Sequence, residues 1–156
     1  MSGGNPRLKF YEIIKTFKEQ ITTLLRDPSI QICEAERTRH IKKFDRIYDK
    51  IMMAKSTNSR LAIELFYNHL FVPYGEQIMS QNDLFFLQNR HELMERMGDN
   101  DMGLGDLVES ISQMWPQLDN NNKKIIWRYI LALCKVADIV VGENRFEQLK
   151  NKVNSV

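Results

Sequence analysis

Residues that could do chemistry are few in this chain, and each candidate pattern breaks off before it is complete. His91-Glu92-Leu-Met-Glu95 begins like a zinc-protease helix, but the second histidine of that motif is missing. The three histidines, His40, His69 and His91, give no ordinary zinc triad by spacing, and His69, at the end of an apolar helix, reads as a satisfied core histidine. Asp99-Asn100-Asp101-Met102-Gly103 starts like a calcium loop. Glycine then falls at the fifth position where the sixth is needed, and Ser110 takes the twelfth, where a bidentate glutamate belongs. Cys134 lies in the most apolar segment, where a thiol rises in pKa and loses reactivity, and Cys33 has no histidine beside it in sequence. No nucleophile elbow, P-loop or dinucleotide fingerprint occurs. The expectation is therefore no catalytic residue, no metal and no cofactor, in a protein that is not an enzyme. An enzyme would need a pocket that draws His91, Glu92 and Glu95 together with another segment.

Charge is the stronger signal. Arg37, Arg39, Lys42, Lys43, Arg46, Lys50 and Lys55 stand against Asp45 and Asp49, a local charge of +5 in nineteen residues, with His40 among them. A basic helix face can neutralise phosphates. The plainer reading is a solvated face in which Lys42 and Arg46 each reach Asp45 or Asp49 at three or four residues. Asp83, Glu92, Glu95, Asp99, Asp101, Asp106 and Glu109 form the opposite pole, offset by Arg90 and Arg96 to a local charge of −5. Opposed poles suit docking between charged neighbours or self-association. The candidate partner-binding residues are Arg39, Lys42, Lys43 and Arg46 on the basic face, and Glu95, Asp99 and Asp101 in the acidic region.

The elements that must position these residues are helical throughout. Phe10, Ile13, Ile14, Phe17, Ile21 and Leu24 recur at three- and four-residue spacing and mark a helix that Asp27-Pro28 ends. A second helix, carrying the basic face, runs from Ile30 or Glu34 to Lys55. A third is marked by Leu61, Leu65, Phe66 and Leu70 and interrupted near Pro73, with a short turn through Gln77 and Ile78. Leu84 to Met97 is the next, with Phe85-Phe86 in the core, and residues 98–105 are expected to be an exposed loop. Leu104 to Trp115 is closed by Pro116, and Trp115 and Trp127 are expected to pack across the following turn. Met94, Met97, Met102 and Met114 read as core filling, with an adaptable partner groove as the alternative. Ile125 to Val141 is the most apolar stretch. Its Arg128, Lys135 and Asp138 are expected to share one solvated stripe, making it the central helix of a bundle and not a membrane span. Asn120 to Asn122 cap it, Gly142 stops it, and Phe146, Leu149 and Val153 mark a last short helix.

Composition agrees with this picture. Apolar residues make up 43% and charged residues 27% of 156 residues, with a formal net charge of +2. That is the balance of one globular domain and too near neutral for a dedicated nucleic-acid coat protein. Two distant cysteines suit a reducing compartment, and the N-terminus lacks a signal-peptide pattern, so an intracellular, non-secreted protein is expected.

Two stretches carry a family likeness. They are Phe66-Tyr-Asn-His-Leu-Phe-Val-Pro-Tyr-Gly-Glu-Gln-Ile78 followed by Asp83-Leu-Phe-Phe86, and Met114-Trp-Pro-Gln-Leu followed by Asn122-Lys-Lys-Ile-Ile-Trp127-Arg-Tyr-Ile-Leu-Ala-Leu133. Over roughly residues 60 to 140 this arrangement resembles small α-helical proteins of nucleocytoplasmic large DNA viruses, a family of unassigned function. The motifs are aromatic and aliphatic core positions, so the resemblance implies an all-α fold and a viral setting in host cytoplasm or virion, and no mechanism. The resulting expectation is a single all-α domain over 1–156, a bundle of six or seven helices around the C-terminal apolar helix, with residues 1–6 flexible. Its function would be a non-enzymatic protein–protein interaction module, such as a virion or replication-factory component, that binds another protein or itself. The alternative is a sequence-nonspecific nucleic-acid-associated protein using the basic helix 37–55, with Tyr48 as a stacking residue.

Overall fold

Asn5 accepts the backbone N–H of Arg7 at 2.9 Å and Pro6 fills the first turn, where its missing N–H costs nothing, so α1 (Pro6–Arg26) begins there. The flexible N-terminus expected through residue 6 is thus corrected at its last two positions. The computed structural model describes residues 5–98 and 103–154. Phe10, Tyr11, Phe17, Ile21 and Leu25 form the buried stripe of α1. Asp27-Pro28 ends it as the sequence requires.

The turn that follows is held by Arg37. Its guanidinium donates to the carbonyls of Leu25, Asp27 (3.1 Å), Ile30 (3.0 Å) and Ile32 (3.1 Å). Arg37 therefore belongs to the α1–α2 joint and not to the solvated basic face, because these carbonyls have no helical partner and a planar five-donor group can serve them together. The basic helix is α2 (Glu34–Thr57), whose inner face buries His40, Phe44, Ile47 and Ile51.

Next come α3 (Leu61–Phe66), a π turn over Tyr67–Phe71, and α4 (Val72–Met79). Pro73 has no N–H to give the carbonyl four residues back, so the helix widens ahead of it instead of breaking; the Val72 N–H donates to Tyr67. Gln77 and Ile78, expected in a turn, are helical. Asn82 caps α5 (Asp83–Gln88) through the Phe85 N–H at 3.1 Å. Asn89 leaves helical geometry (φ −109°, ψ 19°) and separates α5 from α6 (Arg90–Gly98), so the single helix expected from Leu84 to Met97 is two. Phe85 and Phe86 are half-buried against the core. The loop expected at 98–105 is shorter. Gly98 ends α6, Gly103 (φ 72°) precedes α7 (Leu104–Met114), Gly105 is buried within α7, and 99–102 lie outside the described residues.

A 3-10 turn, Trp115–Gln117, leads to α8 (Asn120–Val141), capped by Asp119 accepting the Asn122 N–H at 2.8 Å. Gly142 (φ 82°) stops α8 in the left-handed conformation that favours glycine, and α9 (Arg145–Asn154) follows. Among the described residues the fold is all-α, with one core cluster that draws on every helix but α5 for its fully buried side chains. The apolar α8 touches α1, α3, α4 and α9, and no helix among the described residues is long and apolar enough to cross a membrane. Phe17 stacks on Tyr129 between α1 and α8 at 5.1 Å.

Asp138 departs from the stripe assigned to it. Ten helical residues from Arg128 is a rotation of about 80° off that line. Arg128 and Lys135 are exposed while Asp138 is 4% exposed. Its carboxylate accepts the Tyr67 hydroxyl (3.1 Å) and the backbone N–H groups of Arg145 (2.9 Å) and Phe146 (3.1 Å), fastening the start of α9. The same hydroxyl lies 3.0 Å from Glu143. Burial first, and then these two carboxylates, push the Tyr67 phenol upward.

Candidate functional site

The two faces of α2 do different things. Positions 39, 42 and 46 fall at i, i+3 and i+7, and Arg39, Lys42 and Arg46 are all exposed. Lys50 and Met53 continue the same stripe, with Met53 71% exposed. Lys42 and Arg46 make no ion pair among the described residues, so the intrahelical pairing expected for them is absent. Asp45 instead pairs with Lys18 of α1 at 2.9 Å. Arg39 donates to Gln113 at 3.2 Å. Lys43 turns away from the stripe toward α7, 3.9 Å from Glu109. Three of the four basic candidates therefore share a surface, and the fourth bridges the basic helix to the acidic region. The two poles meet inside the molecule at that contact.

Of the acidic candidates, Glu95 is exposed on α6, and Asp99 and Asp101 lie outside the described residues. His91, Glu92 and Glu95 are all exposed and gather into no pocket, with Glu92 3.9 Å from Arg96. His69 is half-exposed in the π turn, which corrects its reading as a core histidine; the buried histidine is His40. Cys134 is fully buried, and burial pushes its thiol well above the ordinary range. Met114 is buried and Met94 half-buried, the core role expected for them; the side chains of Met97 and Met102 lie outside those described.

Beneath α2 lies a feature no motif announced. A cavity of about 170 Å³ opens among helices α1 to α8, with Phe17, Phe44, Ile47, Phe86, Ile111 and Trp127 among its walls. Lys18, Tyr48, Asp83 and Ser112 are the polar residues that border it. Tyr48 carries the Lys18 ammonium 5.3 Å above its ring.

The carboxylate of Asp83 is committed elsewhere. One oxygen accepts the Trp115 indole N–H at 3.0 Å and the other the Trp127 indole at 2.8 Å. The two indoles meet edge to face at 6.2 Å, the packing expected across the Pro116 turn, and Asp83 is what holds it. In the sequence Asp83 belongs to the acidic pole and to the stretch that carries the family likeness, and neither pairs it with the indoles. The signal available was two indole donors in need of a partner.

The seam between α2 and α7 is under-satisfied as well. His40 is 1% exposed and Ser110 0%, and among the described residues neither His40 Nδ1 nor Ser110 Oγ has a hydrogen-bond partner. They do not bond each other, so they are no nucleophile–base pair. Burial, reinforced by Arg39 and Lys43, holds the His40 imidazole below its ordinary range, while Glu36 and Glu109 pull it upward. Among the described residues no cluster of three or more His, Cys, Asp or Glu is placed to hold a metal ion. Comparison with family models, curated proteins and solved structures returned no match for this chain.

Proposed function

We propose that the protein is a non-enzymatic interaction module that docks an acidic surface of another protein on the outward stripe of α2. The observation that supports this is the placement of Met53 in line with Arg39, Lys42 and Arg46. An apolar, adaptable side chain that is 71% exposed beside cations that make no ion pair among the described residues suits a protein interface, where charge sets register and an apolar contact supplies affinity. A nucleic-acid partner would use the cations and leave the methionine idle. Tyr48, the stacking residue that reading needs, borders the cavity under Lys18. A role in a virion or replication factory, as the family resemblance implies, is part of this proposal.

Charge reversal of Lys42 and Arg46 is the test, because neither holds the fold together, whereas reversing Lys43 would also disturb Glu109. Tagged wild type should retain a partner protein that the K42E/R46E double variant loses, with both forms equally stable. An unchanged set of bound proteins would contradict the reading. Binding of a generic duplex that weakens by three or more orders of magnitude between about 50 and 200 mM salt would replace it with the nucleic-acid alternative.

A further inference from the structure

We propose that the core cavity is a binding site for a small uncharged apolar molecule, an aromatic ring or an alkyl chain of about six to eight carbons. The inference stands apart from the docking surface, which uses the other face of α2. A cavity of about 170 Å³ is slightly larger than the roughly 150 Å³ apolar holes that stay dry and take up benzene or xenon. Side chains facing such a void lack contact partners, and a ligand of matching size supplies them.

The chemistry of the wall selects an uncharged occupant. Of the charged groups bordering the cavity, Lys18 is neutralised by Asp45 at 2.9 Å, and Asp83 has both oxygens taken by indole N–H groups. No charge is left to hold an ionic head, and burying an unpaired one would be costly. Lys18 and Tyr48 border the cavity and are also half-exposed, so the seam between α1 and α2 is the route by which a small molecule enters.

Benzene is the probe, with benzoate as its charged counterpart and melting followed by circular dichroism. At ten times its Kd, benzene should raise the wild-type Tm by about 3–6 °C. Benzoate at the same concentration should leave Tm unchanged, and Trp115 and Trp127, which border the cavity, should change fluorescence only with benzene. Ala62, a buried cavity-lining residue, allows the hole to be filled from within. Ala62→Leu should melt higher than wild type and lose most of the benzene shift, and Val108→Leu, from a different helix, serves the same purpose should the first variant not fold. No shift with benzene near saturation, an undiminished shift in a folded filled variant, or an equal shift with benzoate would each overturn the assignment.

Discussion

The two ends of this bundle are built to different tolerances. Around α4 and α9 the buried side chains pack closely, beside a more open groove edged by Met79, Phe146 and Lys150. A Cβ placed on Gly75 would stand 2.5 Å from Leu149, Tyr67 and Phe71 are fully buried, and Asp138 spends both oxygens on α9 and Tyr67. Between α2 and α7 the core is hollow, and the seam buries His40 Nδ1 and Ser110 Oγ without partners. Unfilled volume and unsatisfied polar atoms both cost stability. The two meet beneath α2, whereas the α9 end is fastened by hydrogen bonds.

The contrast can be broken most severely at Asp138. Asp138→Ala removes the acceptor for three donors in a buried site and should cost about 3–5 kcal/mol in urea unfolding, with α9 amides losing hydrogen-exchange protection first. A loss below 1 kcal/mol would mean that α9 is held by its apolar contacts alone.

Adding volume should then act with opposite sign at the two ends. Gly75→Ala places a methyl 2.5 Å from the Leu149 Cδ1, the tip of a half-buried side chain that can turn aside, and should destabilise by less than about 1 kcal/mol. Ala62→Leu adds carbon to a void and should stabilise by about 1 kcal/mol. Equal signs would dissolve the distinction.

The smallest effect is a pH dependence at the α2–α7 seam. The folded imidazole of His40 titrates below the usual 6.5, so the unfolded chain takes the proton first. The stability gained from keeping His40 neutral is complete above about pH 6.5 and is lost as pH falls toward the folded value. Urea midpoints should therefore fall as the pH drops below about 6.5, and His40→Leu should flatten that slope. An unchanged slope in the variant would assign the dependence to other groups.

Much of the helical architecture was legible in the sequence because its causes are local. Asp27-Pro28 stops α1 and Gly142 ends α8 through chemistry confined to a few residues. The exposure of Arg39, Lys42 and Arg46 was readable from spacing for the same reason. What escaped depends on the third dimension. Arg37 looks like one more cation until the carbonyls of the preceding turn surround it, and Asp138 looks solvated until α9 folds back over it. The cavity is not a property of any residue. It is the difference between the space that eight helices enclose and the volume their side chains fill.

Pressure unfolding measures that difference most directly, because the volume change on unfolding scales with the internal void eliminated. Wild type should show a markedly negative volume change, Ala62→Leu a less negative one, and a folded conservative variant at the α9 end, such as Leu149→Met, a value that matches wild type. A volume change in Ala62→Leu identical to wild type would contradict the hollow half of the core.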